Sequence, residues 1–398
     1  MYNIPFGIGC HAGETFACTR FEDTVIHLYN WASTGFFGNL IADVEVFRKP
    51  VLNDFIRLGK SVTKEVRTRI QHAIAADPSL SSLPAGVSVP ADQVEMLMPL
   101  HIGDYTDFYS SLEHASNVGR MFRDPQNPLL PNWRHLPVGY HGRASSIVIS
   151  GTPVRRPKGQ TLPKGADAPV FGPTKRLDFE LEMAFVIGKD TAMGESIPTS
   201  KAEEYIFGLM LFNDWSARDI QQWEYVPLGP FLAKNFASAV SPWIVTLEAL
   251  EPFRVAGPDQ EPEVLPYLRF SGEKNYDIEL EVSIAPDQQE ESVICRSNFR
   301  HMYWNMCQQL AHHTCNGCNV QVGDLMASGT ISGPDTGSWG SMLEITTGGQ
   351  FPVDLGGGVQ RSFVEDGDTV IMRAFAQKDA IRVGFGEVRN TVLPAIQD

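Results

Sequence analysis

Arg176-Leu177-Asp178-Phe179-Glu180-Leu181-Glu182-Met183-Ala184-Phe185-Val186-Ile187 joins two patterns that pull in opposite directions. Its second half, Met183 to Ile187, is apolar without a break and reads as a buried strand. Its first half alternates acid with Phe and Leu. On an extended chain Asp178, Glu180 and Glu182 then share one face, while Phe179 and Leu181 pack on the other. Like charges two residues apart on one face repel unless something positive lies between them. Two more acidic stretches belong to the same argument: Asp104-Tyr105-Thr106-Asp107-Phe108-Tyr109 upstream and Asn213-Asp214-Trp215 downstream. Oxygen ligands without Cys or His suit a hard ion such as Ca²⁺ or Mg²⁺ rather than zinc. The plain alternative is a row of solvated surface acids, and the apolar flanks of the 178–182 segment argue against it.

Around this stretch the composition is that of a globular enzyme, with 43% hydrophobic and 20% charged residues in 398. A net charge of −15 argues against nucleic acid or an anionic membrane as the main partner. No apolar run is long enough to span a bilayer. The first residues, Met1 to Gly7, carry neither the basic nor the apolar segment of a signal peptide. Six cysteines in a chain of this length are no disulfide framework, so a reduced, cytoplasmic protein is expected.

The first hundred residues read as a separate small unit. Short strands are expected at Phe6 to Gly9 and Thr24 to Leu28, followed by one amphipathic helix over about 52–76 carrying Val62, Val66, Ile70 and Ile74. A linker-like stretch with Pro84, Pro90 and Pro99 places the boundary near 98, giving domains 1–98 and 99–398. Beyond it strands dominate, among them Asp277 to Ile284 and Thr369 to Phe375. Helices are expected after the capping signals Ser110-Ser111-Leu112-Glu113 and Ser200-Lys201-Ala202-Glu203, and from Asn298 to about Thr314. The fold class is mixed and mainly β.

Several side chains stand out chemically. His114 falls in the first turn of the helix that Ser110 would cap, where the helix dipole disfavours imidazolium; it is either a base or a capping histidine. Arg218, Gln221 and Tyr225 recur on one helix face, and Lys234 follows a Gly-Pro loop amid apolar neighbours. Together they suit an anionic, oxygen-rich small molecule, or else form a solvated face with a snorkelling lysine. Cys315-Asn316-Gly317-Cys318 beside His312 and His313 is a weak zinc signal. There is one CxxC only, and adjacent histidines on a helix point about 100° apart. Gly317 reads as the stop of that helix, and Gly356-Gly357-Gly358 as a turn rather than a phosphate loop.

Taken together, Asp104 to Tyr109, His114 to Asp124, Leu136 to Arg143, Leu181 to Phe185, Asn213 to Pro230 and Ala327 to Pro334 resemble the fumarylacetoacetate hydrolase family over most of the chain. The resemblance implies an α+β, mainly β fold: a small SH3-like N-terminal barrel, then a larger C-terminal β-roll, working as a homodimer. It implies a metal (Mg²⁺ and/or Ca²⁺) held by Asp107, Glu180, Glu182 and Asp214, with His114 as catalytic base and Glu344 orienting it. Substrate contacts fall on Tyr109, Arg123, Tyr140, Gln221, Tyr225 and Thr330, with Arg123 pairing the terminal carboxylate. Arg218, Gln221 and Lys234 would stabilise a departing carbanion, so the Lys234 charge is expected on the leaving enolate rather than in a structural pair. A second cation beside Lys234 would use Ser238, where the family has Thr.

The implied chemistry is hydrolysis of a carbon–carbon bond in a β-diketone acid, 4-fumarylacetoacetate, to fumarate and acetoacetate at the end of tyrosine and phenylalanine breakdown. Acylpyruvate hydrolases, decarboxylases and hydratases of the same superfamily are generally shorter and lack the N-terminal unit. A non-catalytic metal-binding scaffold would need neither His114 nor Glu344.

Overall fold

The apolar run becomes the strand Leu181–Ile187, buried along its whole length. The structure is a computed structural model that describes residues 3–397. That strand lies near the middle of an eight-stranded sheet. Its order is Gly139–Gly142, Tyr105–Phe108, Leu325–Ala327, Leu181–Ile187, Ile206–Asp214, Ser238–Val240 and Ile147–Ile149, with Val245–Thr246 also paired to Ile206–Asp214.

A strand without polar alternation needs cover on both faces, and this sheet has it. Ala184, Val186, Met210, Phe212 and Ala327 share one core with Phe6, Phe55, Val66 and Ile70 of the N-terminal unit. Met183, Phe185, Ile187, Leu209 and Leu211 turn the other way, into a core with Leu280, Val282, Met372 and Phe385. Those last residues belong to a second sheet of five strands, ordered Ser292–Asn298, Glu279–Ala285, Thr369–Lys378, Ile381–Leu393 and Val154–Arg155. The N-terminal unit is a small five-stranded antiparallel sheet, so the fold is mainly β with α, as expected.

Register decides what stands at the end of the large sheet. Glu182 pairs with Phe212, Asp107 with Ala327, and Asp214 with Ser238. Because facing residues share a side, Asp107, Glu182 and Asp214 continue the Ala184–Phe212–Ala327 face at its open end. The acids are therefore a polar rim on an otherwise apolar surface.

Several expectations are corrected in detail. The stretch around Pro84 and Pro90 is not a linker: Ser88–Pro90 and Glu95–Leu97 are the two edge strands of the N-terminal sheet, where a proline's missing N–H costs no ladder bond. The helix over 52–76 is two, Asn53–Arg57 and Lys60–Ala76, broken at Gly59 with φ +89°. Ser111 rather than Ser110 caps Leu112–Phe122, accepting from His114 N. Lys201, not Ser200, precedes the short helix Ala202–Tyr205, and no side chain caps it. The segment from Asn298 is a 3₁₀ turn, Phe299–His301, then a separate helix Met306–Thr314 that starts on an Asn305/Gln308 capping box. At Gly59, Ser111 and Asn305 a left-handed residue or a cap overrode an otherwise continuous apolar period.

His27 gives the N-terminal unit an acid-sensitive joint. Its Nδ1 accepts from Asn30 N at 3.3 Å, and its ring stacks on Phe16 at 3.7 Å. Burial pushes its pKa down to about 4, with a smaller opposing pull from Glu14. The folded ring is neutral while an unfolded one protonates near 6.5. This contribution to stability is whole above that value and is lost as pH falls towards 4. A His27→Asn variant should therefore show a flatter fall of melting temperature over that interval than wild type. Parallel curves would remove His27 from the account.

Candidate active site and metal centre

Four carboxylates converge at the rim. Asp107, Glu180, Glu182 and Asp214 each offer an oxygen within 4.8 Å of the others, and all four are buried. Gly329 makes the enclosure possible. It has φ +79°, a Cβ there would meet Phe108 O at 2.2 Å, and its N–H donates to Glu182 Oε2 at 2.9 Å. Asp107 Oδ1 and Glu182 Oε1 are buried with no hydrogen-bond partner. Burial raises the pKa of Asp107, and Asp214 raises it further; burial also raises Glu182, which Asp107, Glu180 and Asp214 push the same way. Unsatisfied carboxylate oxygens gathered in a dry space are what a hard divalent cation needs. The residues fit such an ion.

The nearby positive charges do not balance the four acids. Lys234 Nζ donates to Glu180 at 2.6 Å and to Asp214 at 2.7 Å; Arg218 Nη1 meets Glu180 at 2.8 Å and its Nε meets Asp178 at 2.8 Å. Burial works against the ionised Glu180, yet Lys234 and Arg218 outweigh it and hold its pKa well below the usual range. Two readings change here. Asp178 is not one of a row of three on a strand face. The chain leaves the strand at Phe179–Glu180, and Asp178 lies in a separate pairing with Ser216. Lys234, expected free for the leaving enolate, also has a structural pair.

Lys234→Met should accordingly destabilise the chelator-treated protein by about 3–5 kcal/mol, the usual cost of stripping one partner from a buried ion pair. Thermal melting in EDTA, and again with excess Mg²⁺, checks this. An unchanged melting temperature in EDTA would mean the ammonium is not needed to hold the acids.

A second constellation adjoins the first. His114 Nδ1 lies 2.6 Å from Glu344 Oε2, both side chains buried, and the T-shaped ring of Tyr109 packs on His114 at 5.3 Å. Asn117 donates to Glu344 Oε1, and Ser332 and Ser341 donate to the same carboxylate, at 2.8–3.0 Å. Burial alone would raise the Glu344 pKa; His114 and these donors reverse that and hold it below the ordinary value. An ionised carboxylate only accepts, so the proton sits on Nδ1 and the lone pair on Nε2. The His114 ring is close enough to Glu180 for a charge on it to be felt by that carboxylate, which places the histidine beside the acid cluster.

The other predicted residues gather around this centre unevenly. Tyr140 OH donates to Asp214 Oδ2 at 2.7 Å, and Ser238 Oγ to Asp214 Oδ1 at 3.0 Å. Thr330 Oγ1 is buried without a partner. Gln221 Oε1 accepts from Arg218 at 3.2 Å, while Tyr225, at the end of the same helix, is half exposed. Arg123 is exposed at the end of the His114 helix and donates to Pro128 O; its charge reaches the Tyr109 phenol. Cys315 and Cys318 are exposed free thiols, and His312 and His313 bond to Tyr267 and Thr106 on separate sides. Among the described residues the only group of three or more Cys, His, Asp or Glu that would hold an ion is the carboxylate cluster. Gly356 to Gly358 form a turn between two short strands.

Comparison with known proteins points the same way as the geometry. Residues 2–99 match the family model described as fumarylacetoacetase N-terminal, and residues 105–393 match fumarylacetoacetate hydrolase C-terminal. The chain belongs to the fumarylacetoacetate hydrolase family. A Homo sapiens relative named fumarylacetoacetase is 52% identical over 404 residues, covering 100% of this chain and 96% of the relative. One from Oryza sativa subsp. japonica is 48% identical over 407 residues, with 100% and 95% covered. Among solved structures, a fumarylacetoacetate hydrolase from Exiguobacterium antarcticum shares the fold, with TM-score 0.57 at 17% identity over 98% of this chain and all of that one.

The family resemblance had pointed to His114 and Glu344, but three residues that hold Glu344 escaped the reading. Ser341-Met342-Leu343-Glu344 has the Ser-x-x-Glu form of a helix start, and Asn117 lies one turn after His114, so two of them left a signal. Ser332 left none.

Proposed function

We infer that this chain hydrolyses the carbon–carbon bond of 4-fumarylacetoacetate to give fumarate and acetoacetate. The observation that carries the reading is the meeting of an Asp107–Glu180–Glu182–Asp214 cluster with a buried His114–Glu344 pair at 2.6 Å, in a chain about half identical over its full length to relatives named for this activity. A metal-binding scaffold has no use for the second feature. The reaction belongs at the end of tyrosine and phenylalanine breakdown.

A divalent cation held by the four carboxylates, Mg²⁺ or Ca²⁺, would polarise the diketone carbonyls and ease negative charge onto their oxygens. Every other part is the chain's own. His114 takes a proton from water at Nε2 while Glu344 fixes the ring through Nδ1. The water oxygen bonds to the carbonyl carbon, the carbon–carbon bond breaks, and its electron pair leaves as an enolate. Arg218, Gln221 and Lys234 would offer donors to that departing charge. The proton held at Nε2 is available to the leaving carbon, so water is consumed and no charge is stranded. Tyr109, Tyr140, Tyr225, Thr330 and Arg123 would line the substrate, Arg123 serving its outer carboxylate. Ser238, beside Lys234 and Asp214, would serve a second cation.

We place the protein in the cytosol as a homodimer. All six cysteines are free. Trp223, Val226, Leu228 and Phe231 are exposed around one loop, joined through a Trp223–Gln160 bond to the hairpin that exposes Phe171. So much apolar surface in one patch calls for a covering copy. Sedimentation should give about twice the 44.0 kDa chain mass, falling towards one on Leu228→Asp/Phe231→Asp; a monomeric wild type removes the dimer. The function itself is tested by loss of the diketone absorbance on adding purified protein with Mg²⁺ or Ca²⁺, and by fumarate formed in equal amount. No turnover with either ion would overturn the reading, and preference for an acylpyruvate would move the chain to a sister activity.

A further inference from the structure

Asp178, the first acid of the alternating stretch, has no task in this scheme, yet it is wholly buried and its hydrogen bonds go to just two places. Its Oδ2 accepts from Arg218 Nε at 2.8 Å. Oδ1 accepts from Met342 N at 2.7 Å, and Oδ2 also from Leu343 N at 3.0 Å. Met342 and Leu343 open the helix Met342–Ile345, and the next residue is Glu344. One carboxylate thus touches the arginine on one side and the backbone that carries the histidine's partner on the other.

We propose that Asp178 is a positioning residue that locks the Arg218 side of the site to the Glu344–His114 side, so that the group receiving departing charge and the group taking the proton keep one fixed separation. The proposal rests on the function read above.

Three observations support it. The Met342–Ile345 helix has four residues, far below the length at which a helix holds its own shape, so its place depends on what satisfies its first N–H groups. Arg218 is long and flexible, yet a charge-assisted bond to Nε fixes its plane. With Nη1 spent on Glu180 and Gln221, Nη2 is left buried and without a partner, a donor held ready. Catalytic geometry is unforgiving, since a displacement of about 1 Å can cost on the order of 10²-fold. A buried acid bonded elsewhere would stabilise the fold equally well. What needs explaining is that this one bonds both halves of the site.

The test is a pair of kinetic cycles on the metal-loaded enzyme. Asp178→Asn sets an amide NH₂ against N–H donors and should lower kcat by about 10²-fold. Combined with Arg218→Met, or with Glu344→Gln, it should cost far less than the product of the single losses, because each pair breaks the same link. Multiplicative losses in both cycles would make Asp178 a plain structural acid and overturn the proposal.

An NMR readout needs neither substrate nor a change at position 178. In Arg218→Met the amide resonances of Met342 and Leu343 and the His114 Nδ1–H proton should shift, since the carboxylate between them relaxes. Unmoved resonances there overturn the link even if Asp178→Asn fails to fold. A wild type that leaves the diketone untouched would refute the hydrolase reading and not this one.

Discussion

His114→Ala is expected to lower kcat by at least about 10²-fold while leaving divalent-ion affinity as it was. The first half follows from geometry. Glu344 is committed to Nδ1 at 2.6 Å, so Nε2 is the ring nitrogen left to take a proton. Nothing else at the centre can replace it. Asp107 and Glu182 would be spent on a bound cation, Lys234 and Arg218 are held protonated by the carboxylates around them, and burial drives the Tyr140 phenol far from ionisation. The second half follows because His114 donates to no member of the cluster. Steady-state kinetics beside calorimetric titration with Mg²⁺ checks both. A variant with wild-type kcat would end the assignment of His114 as base, and one that lost the metal as well would show the ring to be part of the metal's support. Glu344→Gln should be milder, because an amide still accepts from Nδ1 but does not stabilise the charged ring.

How much of this could be read from residues alone depended on whether a pattern was local. Met183 to Ile187 declared a buried strand because five apolar residues in sequence have few other uses, and the structure gives that strand two covered faces. The acids were legible as a group because a dry strand does not carry carboxylates without a reason. Their division of labour was not. Asp178 and Glu180 look alike in sequence and both meet Arg218, and only the break at Phe179–Glu180 sends one to the Met342–Leu343 backbone and the other to the cluster. Helix bounds failed where a single residue outweighed the period: Gly59 by its left-handed φ, Asn305 by its cap. The Pro-rich 84–99 stretch misled for a different reason. Edge strands tolerate proline, so a chain that looks like a linker can close a sheet. The donors on Glu344 come from positions 117, 332 and 341. Ser341 opens Glu344's own short helix and Asn117 follows His114 by one turn, but nothing local ties Ser332, twelve residues upstream, to the same carboxylate.

Glu182→Gln is expected to push stability in opposite directions depending on whether a divalent ion is present, and that reversal is a sharper test of the metal centre than lost activity. Glu182 Oε1 has no hydrogen-bond partner among the side chains and backbone around it, and burial together with Asp107, Glu180 and Asp214 raises the pKa of the group. A carboxyl whose folded pKa lies above its unfolded value gives stability that is whole below the ordinary range near 4.5 and is lost as pH rises through the elevated value. On the alkaline side of that value the chelated wild type carries an uncompensated repulsion, which the neutral amide removes, so the variant should melt higher in EDTA by a margin that grows with pH. Excess Mg²⁺ or Ca²⁺ reverses the order. An ion at about a hundred times its dissociation constant adds about 2.7 kcal/mol to the wild type, and the variant, with one charged ligand fewer, gains less at the same concentration. Turnover should follow occupancy: abolished by chelation in both, restored in wild type at low ion concentration, and restored in the variant only in part and only in excess. Melting curves from about pH 5 to 9, with EDTA and with either ion, decide the matter. If Glu182→Gln melts below wild type in EDTA, the carboxylates are balanced by Lys234 and Arg218 alone. The cluster would then be a buried salt-bridge network rather than a seat for a cation.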